Sequence, residues 1–270
     1  IAELKSGTGA ITIGQSGGTG AFTLGAAVDL VGDTVALRGG RINDGTNAIS
    51  AADLTLDLDS NGAGANTIKT TVTGTLAVDT TDGNDATDRG ITITDTGALD
   101  LGTVNAGTGA VSVTAAGAIT DSGVMTAGSL AVSNTTSTTV FDENNVISAL
   151  GAMTTTGGDF SLTNTAALQL NGAISAAGTS FSIDNGSQPV TFALGGSSNI
   201  TATTFSVTAQ DVDALSTIGA FGSTAVVLQP DGAGDTIGLA VADGTEFTLA
   251  TTDIAELKSG TGAITIGQSG

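Results

Sequence analysis

The chain has 270 residues, of which 40% are hydrophobic, and it contains 41 Gly, eight Phe, two Pro and no Cys, His, Trp or Tyr. This apolar content is enough for a folded core, and the absence of Cys and His excludes disulfides, thiol chemistry and imidazole-based catalysis or metal binding. The formal net charge of −20 arises from 26 acidic and only six scattered basic residues. The chain therefore lacks the clustered Lys and Arg that a nucleic-acid partner requires.

The acidic residues are mostly Asp. Four of them are Glu (Glu3, Glu143, Glu246 and Glu256) and the other 22 are Asp. Asp forms hydrogen bonds with nearby backbone and favours turns, whereas Glu favours helices. The ratio predicts short strands joined by turns, and the shortage of large aromatic residues predicts a narrow core of Val, Ile, Leu, Ala and Phe.

Short runs of alternating apolar and polar residues predict half-buried β-strands along the whole chain. In chain order these runs are Ile11–Ile13, Phe22–Leu24, Leu54–Leu58, Ile91–Ile93, Val111–Val113, Leu130–Val132, Phe160–Leu162, Phe181–Ile183, Phe205–Val207 and Phe247–Leu249. Clusters of Gly, Asn, Asp and Ser lie between them, as at residues 82–85 and 195–199, and are typical of close turns.

The spacing of the runs predicts a solenoid. Successive runs begin about 20 residues apart, at residues 35, 54, 76, 91, 111, 130, 160, 181, 205, 226 and 247, with an irregular step from 130 to 160. A second run often follows the first after eight residues, as Leu99 follows Ile91, which indicates two faces joined at a corner. We therefore predict an all-β chain folded as a parallel β-helix (β-solenoid), with about 12 or 13 coils per repeat.

The sequence also repeats itself at long range. Residues Ile1–Gly17 and Ile254–Gly270 are identical, and because they begin at residues 1 and 254 the period is 253 residues. We predict that residues 1–253 form one complete solenoid repeat unit and that residues 254–270 begin the next. Neighbouring identical repeats, stacked end to end, are accordingly the predicted partners.

An array of immunoglobulin-like β-sandwich modules is the structural alternative. Such modules repeat near 100 residues, with longer strands and larger core aromatics. The runs and the period of this chain fit a solenoid better.

Three segments carry a resemblance to a known family of proteins. Residues 110–120, 128–132 and 158–170 read AVSVTAAGAIT, GSLAV and GDFSLTNTAALQL. In this Gly- and Thr-rich style the chain resembles the repetitive regions of filamentous-haemagglutinin-like and autotransporter-type giant bacterial surface adhesins. The resemblance implies a right-handed β-helix, export across an outer membrane and service as an adhesin or extended surface fibre.

Two acidic loops are candidate calcium sites. Residues 57–62 read DLDSNG, which matches the opening of a calcium-binding loop, but Ile68 stands where the closing Glu is needed. Asp79, Asp82, Asp85 and Asp88 crowd a second loop. We interpret both as solvated turns and assign no metal-binding residue.

Three further patterns carry weaker functional alternatives. Gly232–Ile237 is similar to a single calcium-binding nonapeptide of toxin β-rolls, which need consecutive copies. Asp211 and Asp213 are spaced to share a strand face, as the paired carboxylates of a polysaccharide hydrolase do, but the chain lacks aromatic platforms for sugars. Thr92 and Thr94 form one pair of the kind that binds ice, without repetition in successive coils.

These observations predict a structural protein with no catalytic, cofactor-binding or metal-binding residue. The expected function is a repeat of a long secreted or cell-surface filament or adhesin stalk, located outside the cell or on a bacterial surface. The alternative is that this segment is itself the ligand-binding face of an adhesin, with a host-cell, bacterial-cell, glycan or protein partner. No apolar run reaches the roughly 18 to 20 residues that span a bilayer, so we predict no membrane insertion by this segment.

Overall fold

The computed structural model describes residues 10–58, 66–81, 88–195, 199–223, 225–240, 247–257 and 262–267. The chain is nearly all β, with 62% of residues in strands and 4% in helices. It divides into two compact units, Ile1–Leu130 and Ala131–Gly270. The predicted fold class is confirmed: parallel strands stack in a β-solenoid of about 10 turns.

The described part of unit 1 consists mainly of strands. Its strands are β1 (Ile11–Gly14), β2 (Ala21–Phe22), β3 (Val28–Gly39), β4 (Arg41–Leu58), β5 (Asn66–Val72), β6 (Thr75–Asp79), β7 (Ile91–Asp95), β8 (Leu99–Asn105), β9 (Ala110–Ala115), β10 (Ile119–Asp121) and β11 (Met125–Ala127). The boundary between the units falls within β12 (Ser129–Ser133).

Unit 2 adds a helix and a 3₁₀ turn to the same plan. Its strands are β13 (Thr139–Ile147), β14 (Ala149–Thr154), β15 (Phe160–Asn164), β16 (Leu168–Leu170), β17 (Ile174–Asp184), β18 (Val190–Phe192), β19 (Asn199–Ala209), β20 (Val212–Asp213), β21 (Ala220–Phe221), β22 (Ala225–Pro230), β23 (Gly238–Leu239), β24 (Thr248–Leu249) and β25 (Ala263–Ile266). The 3₁₀ turn spans Leu215–Thr217 and helix α1 spans Thr251–Leu257.

In unit 1, inward side chains of successive coils lie directly above one another. Val35 of β3 pairs with Leu54 of β4, and Leu54 pairs with Leu76 of β6, each in parallel register. All three side chains are fully buried. Parallel pairing with alternate residues inward gives each coil a hydrogen-bonded ladder and a continuous apolar row, and it excludes the antiparallel sandwich alternative.

A second row in unit 1 corrects the predicted coil count. Ile91 and Val111 pair with each other, and Ile91 pairs with Asn66, so these two runs lie in a different row of pairings from Val35 and Leu54. Leu99 begins β8, the strand beyond the corner predicted after Ile91. Asn66 pairs with Ile91 and Leu76 with Leu101, each 25 residues later, so the coils are longer than the roughly 20 residues that gave a prediction of 12 or 13, and the structure has about 10.

In unit 2, aromatic residues fill the inward row. Phe160, Phe181 and Phe205 occupy equivalent positions in β15, β17 and β19 and are at most 1% exposed. The rings of Phe160 and Phe181 are stacked with centroids 4.3 Å apart, and those of Phe181 and Phe205 are 6.0 Å apart. The row continues into Val226 of β22. Offset stacking of this kind adds to the apolar burial that holds the coils together.

A ladder of buried Asn side chains turns the corner next to this row. Asn145, Asn164 and Asn185 are at most 1% exposed. The side-chain oxygen of Asn164 accepts from the N–H of Ile147 at 2.7 Å, and its amide nitrogen donates to the Ile147 carbonyl at 3.1 Å and to the side-chain oxygen of Asn185 at 2.8 Å. Because a buried backbone group without a partner is costly, the ladder lets the chain change direction inside the solenoid.

The inward rows predict a large loss of stability for one substitution in β7 and a small loss for the substitution next to it. Ile93→Asp places an unpaired charge in a fully buried position, so we expect the unfolding free energy of unit 1 to fall by more than about 4 kcal/mol. Thr92→Asp changes an outward, half-buried residue and is expected to cost less than about 1 kcal/mol. Denaturant melts followed by circular dichroism measure both: equal damage would contradict the assigned facing, and greater damage from Thr92→Asp would show that the strand faces the other way.

The Asn ladder predicts that one amide supports the corner. Asn164→Ala removes the partners of the Ile147 N–H and carbonyl, and we expect a loss of about 2–4 kcal/mol of unfolding free energy. Thr163→Ala is the matched control, because the side chain of Thr163 is half-buried in the same strand and its loss should cost less than about 0.5 kcal/mol. Similar melts for the two variants would contradict a structural role for the ladder.

Candidate functional site

The candidate functional site is the strand that the sequence contains twice. Its first copy is β1 in unit 1, where Ile11 pairs with Val35 and Ile13 with Leu37 of β3. Its second copy is β25 in unit 2, where Ile264 pairs with Val226 and Ile266 with Leu228 of β22. One sequence is thus observed against two different neighbours, and in both cases the pairing is parallel.

The two copies have the same backbone conformation. Gly14 ends the first copy with φ of 94°, and its equivalent Gly267 ends the second with φ of 104°. Any Cβ at Gly14 would collide with the carbonyl of Arg38. The N–H of Gln15, the next residue, donates to that carbonyl at 3.1 Å, and in the second copy the N–H of Gly267 itself donates to the Leu228 carbonyl at 2.9 Å. The shared left-handed Gly is a position that L side chains rarely occupy.

The pairing leaves apolar side chains of both copies partly exposed. Ile13 is 39% exposed and Ile264 is 40% exposed. By contrast Val35 and Val226, the residues against which the copies pair, are fully buried. The repeated strand covers its neighbour and keeps apolar surface available for further burial.

An apolar cavity lies beside the first copy. It has a volume of about 130 Å³ and is lined by Ile13, Phe22, Leu24, Val28, Leu30, Val35, Leu37 and Ile49. Phe22 and Val28 are half-exposed, whereas Ile42 and Ile49, their partners in the next coil, are at most 2% exposed. The first coil of unit 1 therefore presents inward side chains that deeper coils bury.

A polar trough runs across the outer face of unit 1. It has a volume of about 340 Å³ and is lined by Arg38, Thr55, Leu56, Asp57, Ala77, Val78, Asp79, Thr103 and Asn105. Arg38, Asp57, Asp79 and Asn105 occupy equivalent positions in successive coils. The Nε of Arg38 lies 3.8 Å from Asp57 Oδ2, which is a weak surface ion pair. The hydroxyl, amide and carboxylate groups of the trough can form hydrogen bonds with a polar ligand.

The carboxylates of the predicted calcium loops accept hydrogen bonds from other residues of the chain wherever they are described, as Asp57 does from the hydroxyl of Ser16. Of residues 57–62 only Asp57 and Leu58 lie inside the described residues, and Asp82 and Asp85 of the second loop lie outside them. Asp79 Oδ1 accepts from the N–H and hydroxyl of Thr81, and Asp88 Oδ2 accepts from the N–H of Thr108. Among the described residues no cluster of three acidic, His or Cys side chains is arranged to hold a metal ion.

The two carboxylates of the predicted pair have different surroundings. Asp211 precedes β20 and is 7% exposed, and its Oδ1 accepts from the N–H groups of Val212 and Thr248 at 2.9 and 2.8 Å. Asp213 is half-buried within β20. Asp211 therefore links the start of β20 to the segment that carries Thr248, whereas Asp213 is a residue of β20 itself.

The remaining two patterns have local explanations. In Gly232–Ile237, Asp235 accepts from the N–H of Gly232 at 2.8 Å and so closes a single turn. The outward Thr row is longer than the sequence indicated, because Thr92 lies between Thr67 and Ser112 of adjacent coils. All three are polar positions on one face of unit 1.

Two Asp residues have pKa values held below the ordinary range by turn hydrogen bonds. The N–H of Thr75 donates to Asp53 at 2.9 Å and lowers the pKa of that carboxyl. The N–H of Asn47 is the main cause of the lowered pKa of Asp44, followed by the N–H of Thr46. Since both folded-state pKa values are depressed, the contribution to stability is present above the ordinary Asp pKa and is lost as the pH falls through the lowered value.

The Asn ladder and the complementary roles of the repeated strand were missed by sequence reasoning. A signal for the ladder exists: Phe141, Phe160 and Phe181 are each followed four residues later by Asn145, Asn164 and Asn185. No comparable signal marks the cavity beside β1, because its lining comes from four strands and the turn that carries Leu24. Only the fold brings these side chains together.

The acidic turns predict a weak and unselective response to calcium. We expect millimolar Ca²⁺ to raise the melting temperature slightly by screening the net charge of −20, and Mg²⁺ to do the same. Differential scanning calorimetry with each ion measures this. A large shift seen only with Ca²⁺, and removed by Asp79→Asn together with Asp88→Asn, would instead establish a calcium site.

No helix in the described part of the chain is both long enough and apolar enough to cross a membrane. Comparison with known proteins gives no further guide, since no family model, curated protein or solved structure matches the chain. The features that bear on its function are therefore the solenoid and the strand that occurs in both units.

Proposed function

We propose that residues 1–253 are a structural repeat of a long secreted or cell-surface filament or adhesin stalk, in which units stack end to end as a continuous solenoid. One observation carries the proposal. The repeated strand pairs with β22 in one copy and with β3 in the other, both in parallel register.

The two pairings combine into a single junction. Ile264 follows Val226 in the inward row of unit 2, and the equivalent Ile11 precedes Val35 in the inward row of unit 1. In a tandem array of 253-residue repeats, one strand occupies both positions. It pairs with β22 of the preceding repeat on one side and with β3 of the following repeat on the other. The inward row then passes from one repeat to the next with no change of register.

Burial explains why such a junction is stable. Ile13 and Ile264 are 39% and 40% exposed when the strand has one of its two neighbours. With both neighbours present, these side chains become core residues of a solenoid, and burying a large aliphatic side chain contributes roughly 1.5–3 kcal/mol. Each coil of a solenoid depends in this way on the coil beside it.

The proposed location is outside the cell, on a bacterial surface. The net charge of −20 and the outward Asp, Thr and Ser residues keep a long fibre solvated and discourage side-by-side association. The resemblance to filamentous-haemagglutinin-like and autotransporter-type adhesins supports the same location. The polar trough of unit 1 is the surface on which a directly ligand-binding adhesin would act.

A chain of several 253-residue units provides the test. About 10 turns at ~4.8 Å each give a predicted axial repeat of about 50 Å for one continuous stack. We expect electron microscopy to show thin, unbranched filaments with this repeat. The matched control carries Ile11→Asp in every unit, which places a charge at each junction and should break the filament there.

The alternative architecture gives a different image. Separate beads on flexible linkers, or a period of 100 Å or more, would contradict continuous stacking. Filaments unaffected by Ile11→Asp would show that the repeated strand does not form the junction.

A further inference from the structure

We infer that the repeated strand is an exchangeable β-donor, and that its partner is strand β22 of a second copy of this chain. Residues 10–14 of one molecule would take the place of residues 263–267 on β22 of another, so that separate chains assemble head to tail. The inference rests on the proposed function, because it uses the same junction.

The donor already has the required shape. Residues 10–14 and 263–267 have identical sequences, and both copies form a parallel strand that ends in a left-handed Gly. Ile11 and Ile13 therefore present the side chains with which Ile264 and Ile266 contact Val226 and Leu228. Addition of a strand to a sheet edge needs this match of backbone and alternate side chains.

The acceptor is the edge of β22 that β25 occupies. Val226 and Leu228 are fully buried there, and the carbonyl of Leu228 accepts from the N–H of Gly267 at 2.9 Å. Because β25 belongs to the same chain, its high effective concentration favours the intramolecular strand over a donor from another molecule. Weakening β25 should leave β22 as an open edge, which is a template for strand pairing.

The surface beside the donor fits a second copy. The apolar cavity next to β1 and the half-exposed Phe22, Leu24 and Val28 lie in the coil that contains the donor strand. Docking of β22 and its coil would cover these side chains, as β4 covers Val35 within unit 1. The contact joins two different surfaces of the chain, so it is heterologous, and such contacts extend into open filaments unless the rotation closes a ring.

Identical sequences at the two positions give a matched pair of variants of the 270-residue chain. Ile264→Asp with Ile266→Asp weakens β25 and leaves the β1 donor intact, whereas Ile11→Asp with Ile13→Asp weakens the donor and leaves β25 in place. We expect the first variant to at least double its weight-average mass with rising concentration in sedimentation velocity, and the second to show no such rise. The variant with all four substitutions should also show none, because it has an open acceptor without a donor.

A synthetic peptide of residues 254–270 tests the acceptor directly. We expect the labelled peptide to bind the Ile264→Asp, Ile266→Asp chain at least tenfold more tightly than the unsubstituted chain, measured by fluorescence anisotropy, and to return that variant to monomers. A peptide carrying the same two Asp substitutions should do neither. Circular dichroism on each variant shows whether the solenoid is retained.

Several outcomes would overturn the inference. One is a folded Ile264→Asp, Ile266→Asp chain that stays monomeric and does not bind the peptide. A second is assembly of the four-substitution variant as strong as that of the two-substitution variant, since it would show association without the donor. If either result is found and covalently linked repeats still form continuous filaments, strand exchange is rejected and the proposed stacking function stands. If the linked repeats instead look like separate beads, both proposals are rejected.

Discussion

The parallel pairing of each coil with the coil beside it is the interaction on which the solenoid depends. Val35, Leu54 and Leu76 are fully buried only because β3, β4 and β6 lie in register. A slip of one residue would turn the inward row outward, because side chains alternate along a strand. Register therefore determines which residues form the core and which form the surface. In the proposed filament it also determines whether two 253-residue repeats can join without interruption.

Polar groups inside the solenoid are paired by the same repetition that stacks the apolar rows. Asn164 satisfies the backbone of Ile147 and the side chain of Asn185 at once, so one amide serves two successive coils. Asp95, which is 2% exposed, accepts from the hydroxyl of Thr70 and the N–H of Gly97. Buried carboxylates and amides of this kind hold corners in place, which gives many Asp residues of an acidic chain a structural role.

The sequence was informative where the pattern is local and repetitive. Alternation at Ile91–Ile93 and Phe160–Leu162 predicted strands, and the eight-residue offset from Ile91 to Leu99 predicted a corner. Both signals depend only on residues that are close together in the sequence. The sorting of runs between faces was not predictable in this way. Ile91 pairs with Asn66, a residue outside every predicted run, and pairing across a gap of 25 positions leaves no local signal. Helix α1 was also missed, since its seven residues are too short for a helical period to stand out. At the candidate site the duplication of residues 1–17 was visible from the start, whereas the two different neighbours of the strand required the fold.

The first and last coils of a solenoid have strand edges without a neighbour, and in this chain a repeated sequence covers two such edges. An exposed strand edge invites pairing with any available strand, and a polar or helical cap is one common remedy. Here β22 is covered by β25, whose sequence is that of β1, and β1 in turn covers β3. In the proposed filament, the strand that protects one repeat is therefore the strand that begins the next. Helix α1 does not alter this arrangement, because it packs against the 3₁₀ turn and β24 and leaves the pairing of β22 with β25 in place. Since the covering strand keeps Ile264 partly exposed, a single repeated sequence protects the edge and, in the proposed filament, also extends the stack.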